Sequence, residues 1–275
     1  MASDLHMHTT CSDGVYSPEE LVEAAKAAGL NYIAITDHDT VDGVAQLYEA
    51  GLYPQKGIKI IPGIEFSAHH DIRSVHILGY NIDIYNRELS ERLNDVVEAR
   101  WSRFSAMVEK IRALGYDLTE TDVLQIADSS TSISRSHIAQ ALVAKGFFPS
   151  IKDTFDQILD KGKPAYVSHY RLEAEEIVRL IKESGGTPVL AHPGLIHDDE
   201  LVEQLLKNGI EGIEAIYPKH SAEETEKYLA LAEKYHLLVT GGSDYHGIAG
   251  RYPAKLGQFV IDDAYAAELY REPEI

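Results

Sequence analysis

The chain alternates between continuous apolar segments and segments with helical periodicity. Apolar runs of strand length occur at 3–8, 32–36, 58–65, 75–80, 188–191, 212–216 and 237–240. Helical periodicity occupies much of the sequence between them, at 17–29, 42–51, 173–184, 198–208 and 221–235. Continuous apolar runs are typical of strands buried on both faces, so this alternation predicts an α/β fold with a parallel sheet.

The alternation is interrupted between residues 86 and 164. Helical periodicity there covers 87–114, 119–128, 136–145 and 151–160, with little strand character. We therefore predict one α/β domain made of residues 1–85 and 165–275, with residues 86–164 inserted into it as a group of helices.

Side chains that can bind metal ions lie where the predicted strands end. His6 and His8 are two residues apart, so on a strand they point to one face, roughly 6.6 Å from each other. Loops at the carboxyl ends of strands form the active sites of α/β barrels and sheets. Nine candidate ligands are expected to meet there, namely His6, His8, Asp13, His38, Glu65, His76, His192, Asp244 and His246. Mixed imidazole and carboxylate ligands suit zinc, manganese or iron.

A single histidine or aspartate at a strand end is usually an ordinary hydrogen-bonded residue or a helix cap. Nine of them beside an apolar sheet are harder to explain in that way, because a buried polar group without a partner costs about 1–3 kcal/mol. Bound metal ions would satisfy these groups together. The joint pattern therefore predicts a metal centre.

Composition limits the surroundings and partners of the protein. Its 275 residues are 44% hydrophobic and 25% charged, and no apolar run reaches the roughly 20 residues of a membrane span. The N-terminus lacks a secretory signal, and the single cysteine, Cys11, excludes an internal disulfide, so we expect a cytoplasmic protein. The net charge of −19 argues against binding to duplex nucleic acid but permits an anionic substrate.

The candidate ligands lie in short motifs: His6-Met7-His8, Ser12-Asp13-Gly14, Thr36-Asp37-His38-Asp39, Gly63-Ile64-Glu65, His76, Ala191-His192-Pro193 and Gly242-Ser243-Asp244-Tyr245-His246. In this order they resemble the PHP (polymerase and histidinol phosphatase) family of metal-dependent phosphoesterases. Segments 133–137 and 162–169 are similar to the bacterial branch that hydrolyses nucleotide 3′,5′-bisphosphates and trims short RNA from its 5′ end.

This resemblance implies a distorted seven-stranded (β/α) barrel, similar to a TIM barrel, with the helical insertion covering the active site. It also implies three divalent metal ions, with manganese expected and iron or zinc as alternatives. The implied ligand sets are His6, His8, Glu65 and Asp244 for one ion, Glu65, His76 and His192 for the second, and Asp13, His38 and His246 for the third.

The reaction implied is hydrolysis of a phosphate ester by a hydroxide that bridges metal ions, with Asp13, Glu65, His192 and Asp244 at the catalytic centre. The substrate phosphate also needs cationic donors, and the resemblance indicates Arg135 and Lys163, with His137 and His169 as further candidates. Arg251 is expected to be an ordinary surface arginine. The predicted partner is a small phosphorylated molecule, either a nucleotide or the 5′ end of a short RNA.

Three alternatives remain open from the sequence. A relative with the same metal set could act on histidinol phosphate or on a cyclic sugar phosphate. Related metallo-barrels hydrolyse C–N bonds, although phosphate-binding cations argue against that chemistry here. A metal-stabilised interaction module without catalysis would keep the metal ligands and turn over no substrate.

Overall fold

The computed structural model describes residues 2–69, 73, 75–127, 130, 132–168 and 172–273. The strands are β1 (Ala2–Met7), β2 (Leu30–Ile35), β3 (Lys59–Ala68), β4 (Val75–Tyr80), β5 (Thr187–Leu190), β6 (Gly212–Ile216), β7 (Leu238–Gly241) and β8 (Ile261–Asp262). The helices are α1 (Pro18–Ala27), α2 (Asp42–Glu49), α3 (Arg87–Ala113), α4 (Glu120–Ala127), α5 (Arg135–Ala144), α6 (Ile151–Thr154), α7 (Ala174–Glu183), α8 (Asp199–Lys207), α9 (Ala222–Tyr235) and α10 (Asp263–Leu269).

The strands form one sheet in the order β7-β6-β5-β4-β3-β2-β1-β8. Strands β1 to β3 are parallel to one another, as are β5 to β7, but β4 is antiparallel to both β3 and β5. The predicted α/β fold is confirmed, but the predicted parallel sheet is mixed, because β4 runs antiparallel to its neighbours. Only residues 69–74 connect β3 to β4, and a parallel crossover needs about a dozen residues or more.

The sheet closes on itself where the chain after β7 meets β1. The backbone N–H of Tyr245 donates to the carbonyl oxygen of His6 at 3.3 Å, and the N–H of His8 donates to that of Tyr245 at 2.9 Å. Gly242 permits this approach, because a Cβ at that position would lie 2.4 Å from the Cβ of His6. The predicted distorted (β/α) barrel is confirmed.

The C-terminal segment adds elements that the apolar pattern did not predict. Strand β8 pairs with the first residues of β1 in the antiparallel direction. Helix α10 follows it, and Ala266 and Leu269 pack against Leu5 and Tyr80 of the barrel. These elements lie at the amino end of β1, on the opposite side from the candidate ligands.

Helices α3 to α6 occupy the predicted insertion, and the predicted 151–160 helix continues from α6 as a π-helical turn over Phe155–Leu159. They have a hydrophobic cluster of their own, which includes Phe104, Met107, Ile138 and Leu142. The domain boundaries at residues 85 and 165 stay a prediction. In the described part of the chain, no helix combines the length and the apolarity needed to cross a membrane.

Candidate metal centre

The carboxylate of Glu65, near the end of β3, lies at the centre of the predicted ligands. It is fully buried. Its Oε2 lies 3.2 Å from His6 Nε2, 3.3 Å from His8 Nε2 and 2.9 Å from His38 Nδ1, and its Oε1 lies 2.7 Å from His76 Nδ1 and 3.0 Å from His192 Nε2. His76 reaches this rim because β4 is reversed, which puts the start of that strand beside the carboxyl ends of its neighbours.

Two further carboxylates complete the cluster. Asp244 Oδ1 lies 3.2 Å from His8 Nε2 and 3.5 Å from His246 Nδ1. Asp13 Oδ1 lies 3.1 Å from His246 Nε2 and 4.0 Å from His38 Nε2. The structure therefore brings all nine predicted ligands to one rim of the barrel.

Ligand atoms within 4.8 Å of one another fall into three overlapping groups in the described residues. They are His6, His8, Glu65 and Asp244, then His8, Asp13, His38 and His246, and then His38, Glu65 and His76. The first group is identical to the ligand set implied for one ion. The second group contains the implied set of Asp13, His38 and His246, with His8 in addition. The third group shares Glu65 and His76 with the remaining implied set, but it contains His38 where that set has His192. The number of ions and their division among these residues stay predictions.

Buried ligand atoms without hydrogen bonds show that this rim fits metal ions. In the described part of the chain, no hydrogen bond reaches His6 Nε2, His8 Nε2, Asp13 Oδ1, His38 Nδ1 or Glu65 Oε2. Each such atom would cost about 1–3 kcal/mol if it stayed unsatisfied. A divalent cation would satisfy imidazole nitrogens and carboxylate oxygens together.

At His8 and Asp13, burial and neighbouring charges favour protonation states that suit metal binding. Burial, together with His246 and His38, holds the pKa of His8 well below its usual range. Burial alone would raise the pKa of Asp13, but His246 and His38 outweigh it and hold that pKa well below the ordinary value. A neutral imidazole and an ionised carboxylate are the forms that coordinate metals.

Several residues that support the cluster were not predicted from the sequence. The hydroxyl of Tyr217 donates to Asp244 Oδ2 at 2.9 Å, and Arg251 Nη2 lies 2.7 Å from the same oxygen. The expectation that Arg251 is an ordinary surface residue was wrong, because the chain after His246 folds back over Asp244. Glu214 is fully buried in β6 beside His6. A glutamate inside the apolar run Gly212-Ile213-Glu214-Ala215-Ile216 was the available signal for it.

A cavity of about 780 Å³ opens above the ligand cluster, between the barrel rim and the insertion. Helical-insertion residues Ser134, Arg135, Lys152 and Phe155 form part of its wall. The cationic side chains that line it are Arg100, Arg103, Arg135, Lys152, Lys219 and Arg251. These cations share the cavity wall with the carboxylates of Asp13, Glu65 and Asp244, and they lie in a chain whose net charge is −19.

The predicted substrate-binding residues have different positions. Arg135 lines the cavity, with its guanidinium 5.3 Å from the ring centre of Phe155. His137 is buried and its Nδ1 accepts the backbone N–H of Ser134 at 3.2 Å, so it caps α5 and does not line the cavity. Lys163 is exposed in a turn away from the cavity wall. His169 lies outside the described residues. The sequence motifs identified segments 133–137 and 162–169, but they carried no information on the directions in which individual side chains point.

This fold and this site define a class of protein, the metal-dependent hydrolases that are built on α/β barrels. The PHP domain family model matches residues 4–186 of the chain. The chain therefore belongs to the PHP family, and it is a hydrolase of phosphoester bonds.

Three relatives cover almost the whole chain. Phosphoribosyl 1,2-cyclic phosphate 1,2-diphosphodiesterase of Eggerthella lenta is 32% identical over 92% of this chain and 97% of its own length. The 3′,5′-nucleoside bisphosphate phosphatase of Chromobacterium violaceum is 33% identical over 90% of this chain and 89% of its own length. The 5′-3′ exoribonuclease Rnm of Escherichia coli is 33% identical over 88% of this chain and 84% of its own length.

A solved structure agrees with the fold described above. It is that of a Bifidobacterium adolescentis protein proposed to be a metal-dependent phosphoesterase, at 33% sequence identity. The alignment covers 97% of this chain and 94% of that one, with a TM-score of 0.87.

Proposed function

We propose that this phosphoesterase acts on nucleoside 3′,5′-bisphosphates or on the 5′ ends of short RNA. The cationic cavity above the ligand cluster is the observation that carries this proposal. Its volume of about 780 Å³ lies within the 300–1,000 Å³ range typical of small-molecule pockets and far exceeds what one phosphate needs. Cations from both the insertion and the barrel suit a substrate with more than one negative group.

We assign the metal ligands as the sequence motifs imply, from His6, His8, Asp13, His38, Glu65, His76, His192, Asp244 and His246. Manganese is the metal we expect, at up to three positions, with iron or zinc as alternatives. Bound divalent ions would supply charge stabilisation at the phosphoryl oxygens and the activation of water as a nucleophile.

The side chains of the protein orient the substrate and its surroundings. Nη1 of Arg135 donates to the carbonyl oxygen of Leu159 at 3.3 Å and lies 3.6 Å from Asp160 Oδ1, and the Phe155 ring packs against its guanidinium. These contacts hold Arg135 in the cavity wall, where its remaining N–H groups can donate to phosphate oxygens. Lys152 of the insertion and Lys219 of the barrel act as point charges in the cavity wall. Arg251 and Tyr217 hold Asp244 through its Oδ2, which leaves Oδ1 directed at His8. Asp13, Glu65, His192 and Asp244 form the catalytic centre in this proposal.

The relatives support two substrate classes. Those from Chromobacterium violaceum and Escherichia coli are named for a nucleoside bisphosphate and for RNA. The relative from Eggerthella lenta is named for a cyclic ribosyl phosphate, so a cyclic sugar phosphate is the second candidate. A cytoplasmic location suits either substrate and stays a prediction.

Phosphate release from manganese-loaded protein separates these candidates. The panel contains adenosine 3′,5′-bisphosphate, a 5′-phosphorylated RNA dinucleotide, phosphoribosyl 1,2-cyclic phosphate and histidinol phosphate. We expect the bisphosphate or the dinucleotide to give the highest kcat/KM, and Arg135→Ala to reduce it about 10-fold or more. Arg87→Ala, at an exposed position of α3, is the matched control and should leave kcat/KM unchanged. A preference for either of the other substrates would overturn the nucleotide assignment.

A further inference from the structure

One carboxylate outside the predicted ligand set contacts two of the predicted ligands. Glu214 lies in β6 with 0% of its surface exposed. Its Oε1 lies 3.0 Å from Nδ1 of His6, and its Oε2 accepts the backbone N–H of His192 at 2.7 Å. Both carboxylate oxygens of Glu214 therefore have a partner, which is His6 of β1 for Oε1 and His192, just after β5, for Oε2.

The contact with His6 determines which nitrogen of that ring faces the cluster. An ionised carboxylate can only accept hydrogen bonds, so Nδ1 of His6 must be the protonated nitrogen in this contact. When a metal ion is bound, Nε2 would be the nitrogen left to coordinate it, and this atom faces Glu65 and Asp244 at 3.2 Å and 3.8 Å from their nearest carboxylate oxygens. A carboxylate behind a metal-binding histidine is a common means of orienting the ring.

The contact with His192 restrains an unusual backbone conformation. His192 has φ of 25° and ψ of 61°, in a region that non-glycine residues rarely adopt. The hydrogen bond from its N–H to Glu214 is formed at this bend, and the His192 ring then lies stacked with that of His6 at a centroid distance of 5.8 Å. Nε2 of His192 thereby reaches within 3.0 Å of Glu65.

We propose that Glu214 is a positioning residue that sets the tautomer of His6 and the backbone bend at His192, so that both imidazoles meet Glu65 in the geometry a metal ion requires. This inference rests on the metal centre proposed above. It concerns metal binding by this chain and does not depend on which phosphorylated substrate is used.

Replacing Glu214 by glutamine tests the proposal with little change in shape. The amide carries one acceptor and one donor group, so it cannot accept from both His6 and His192. We expect the affinity for Zn²⁺, measured by competition with a chromophoric chelator, to fall about 10–100-fold. Glu211→Gln is the matched control, since Glu211 precedes the same strand, is exposed and pairs with Lys182 at 2.9 Å. Equal affinity in wild type and Glu214→Gln would overturn the proposal.

A spectroscopic readout separates positioning from a general loss of stability. In metal-free protein labelled with ¹⁵N in its histidines, where no bound ion fixes the tautomer, long-range ¹H–¹⁵N spectra distinguish a protonated Nδ1 from a protonated Nε2. We expect His6 to be protonated at Nδ1 in wild type and to lose that signature in Glu214→Leu, which offers no acceptor to His6, while Glu211→Gln keeps it. An unchanged His6 signature in the Glu214 variant would contradict the assigned role.

If Glu214→Gln fails to fold, Glu214→Asp replaces it, because aspartate keeps the charge and shortens the reach by one methylene. We expect Glu214→Asp to bind Zn²⁺ more weakly than wild type. We also expect Glu214→Asp to reduce Zn²⁺ affinity by a smaller factor in a protein that already carries His6→Ala. Strictly additive effects would show that Glu214 does not act through His6. Wild-type protein that binds no metal would instead refute the metal centre itself, which is a different outcome from failure at Glu214 alone.

Discussion

Nε of Arg100 lies 2.9 Å from Oδ2 of Asp39, and this contact joins the helical insertion to the barrel. Arg100 belongs to α3, and Asp39 follows the candidate ligand His38 after β2. Only 6% of Arg100 and 1% of Asp39 is exposed. Burial alone would raise the pKa of Asp39, but Arg100 outweighs it and lowers that pKa below its ordinary value.

We expect Arg100→Ala to lower the free energy of unfolding by about 3–5 kcal/mol, because it leaves the Asp39 carboxylate buried without its cation. Urea denaturation measures this change. Arg87→Ala is the control: it removes one partner of an exposed ion pair with Glu91 and should leave the midpoint of urea denaturation unchanged. Equal stability of wild type and Arg100→Ala would mean that this ion pair does not hold the insertion on the barrel.

The closure of the barrel at Gly242 gives a second prediction. A Cβ there would lie 2.4 Å from His6 Cβ and 2.5 Å from the backbone nitrogen of His6, so Gly242→Ala must push β1 away from the end of β7. We expect a loss of about 1–3 kcal/mol of stability and a lower metal content per chain by elemental analysis.

Gly115→Ala is the control for the Gly242 variant. Gly115 has φ of 93°, and a Cβ at that position would meet no described atom within 4 Å. The substitution should therefore cost stability through its backbone conformation without changing the metal content. An equal loss of metal in both variants would show that the close approach of Gly242 to His6 is not the cause.

Stability at mildly acidic pH should depend on His220. Burial lowers the pKa of His220, whose Nε2 accepts the backbone N–H of Gly194 at 3.1 Å. In the unfolded chain its pKa returns to about 6.5, so the unfolded state binds the proton first as the pH falls. Stability should therefore decrease from about pH 6.5 downward, and His220→Gln should show a shallower decrease.

Urea unfolding at a series of pH values between about 5 and 8 measures the His220 effect. Gln204→Ala, the control, changes an exposed residue of α8 that does not titrate and should keep the wild-type slope. Identical pH dependence in wild type and His220→Gln would show that protonation of His220 does not contribute.

Removal of metal should change both activity and thermal stability. The ligand cluster contains buried atoms without hydrogen bonds, so ions that bind only the folded state stabilise it. We expect dialysis against EDTA to abolish phosphate release and to lower the melting temperature by about 5–10 °C, with recovery on adding Mn²⁺. In the His6→Ala variant, EDTA should lower the melting temperature by less than it does in wild type. A melting temperature that does not respond to chelation in wild type would contradict a metal centre in the folded protein.

The sequence by itself determined the elements and the residue types of the site. Continuous apolar runs and helical periodicity predicted β1 to β7 and α1 to α9 within a few residues, because both patterns are local properties of the chain. Histidines and carboxylates near strand ends likewise predicted the nine candidate ligands. Parallel strands direct their carboxyl ends to one rim, which places eight of the nine there, whereas His76 lies near the start of β4 and reaches this rim because that strand is reversed.

Only the tertiary structure decided how these parts meet. The reversed direction of β4, the closure of β7 onto β1 and the addition of β8 depend on contacts between distant segments. Glu214 and Arg251 acquire their partners in the same way, as 208 residues separate Glu214 from His6. Side-chain direction also decided which predicted cations line the cavity, and it selected Arg135 over Lys163. Periodicity records which face of an element is buried, but it carries no information on which distant residue lies against that face.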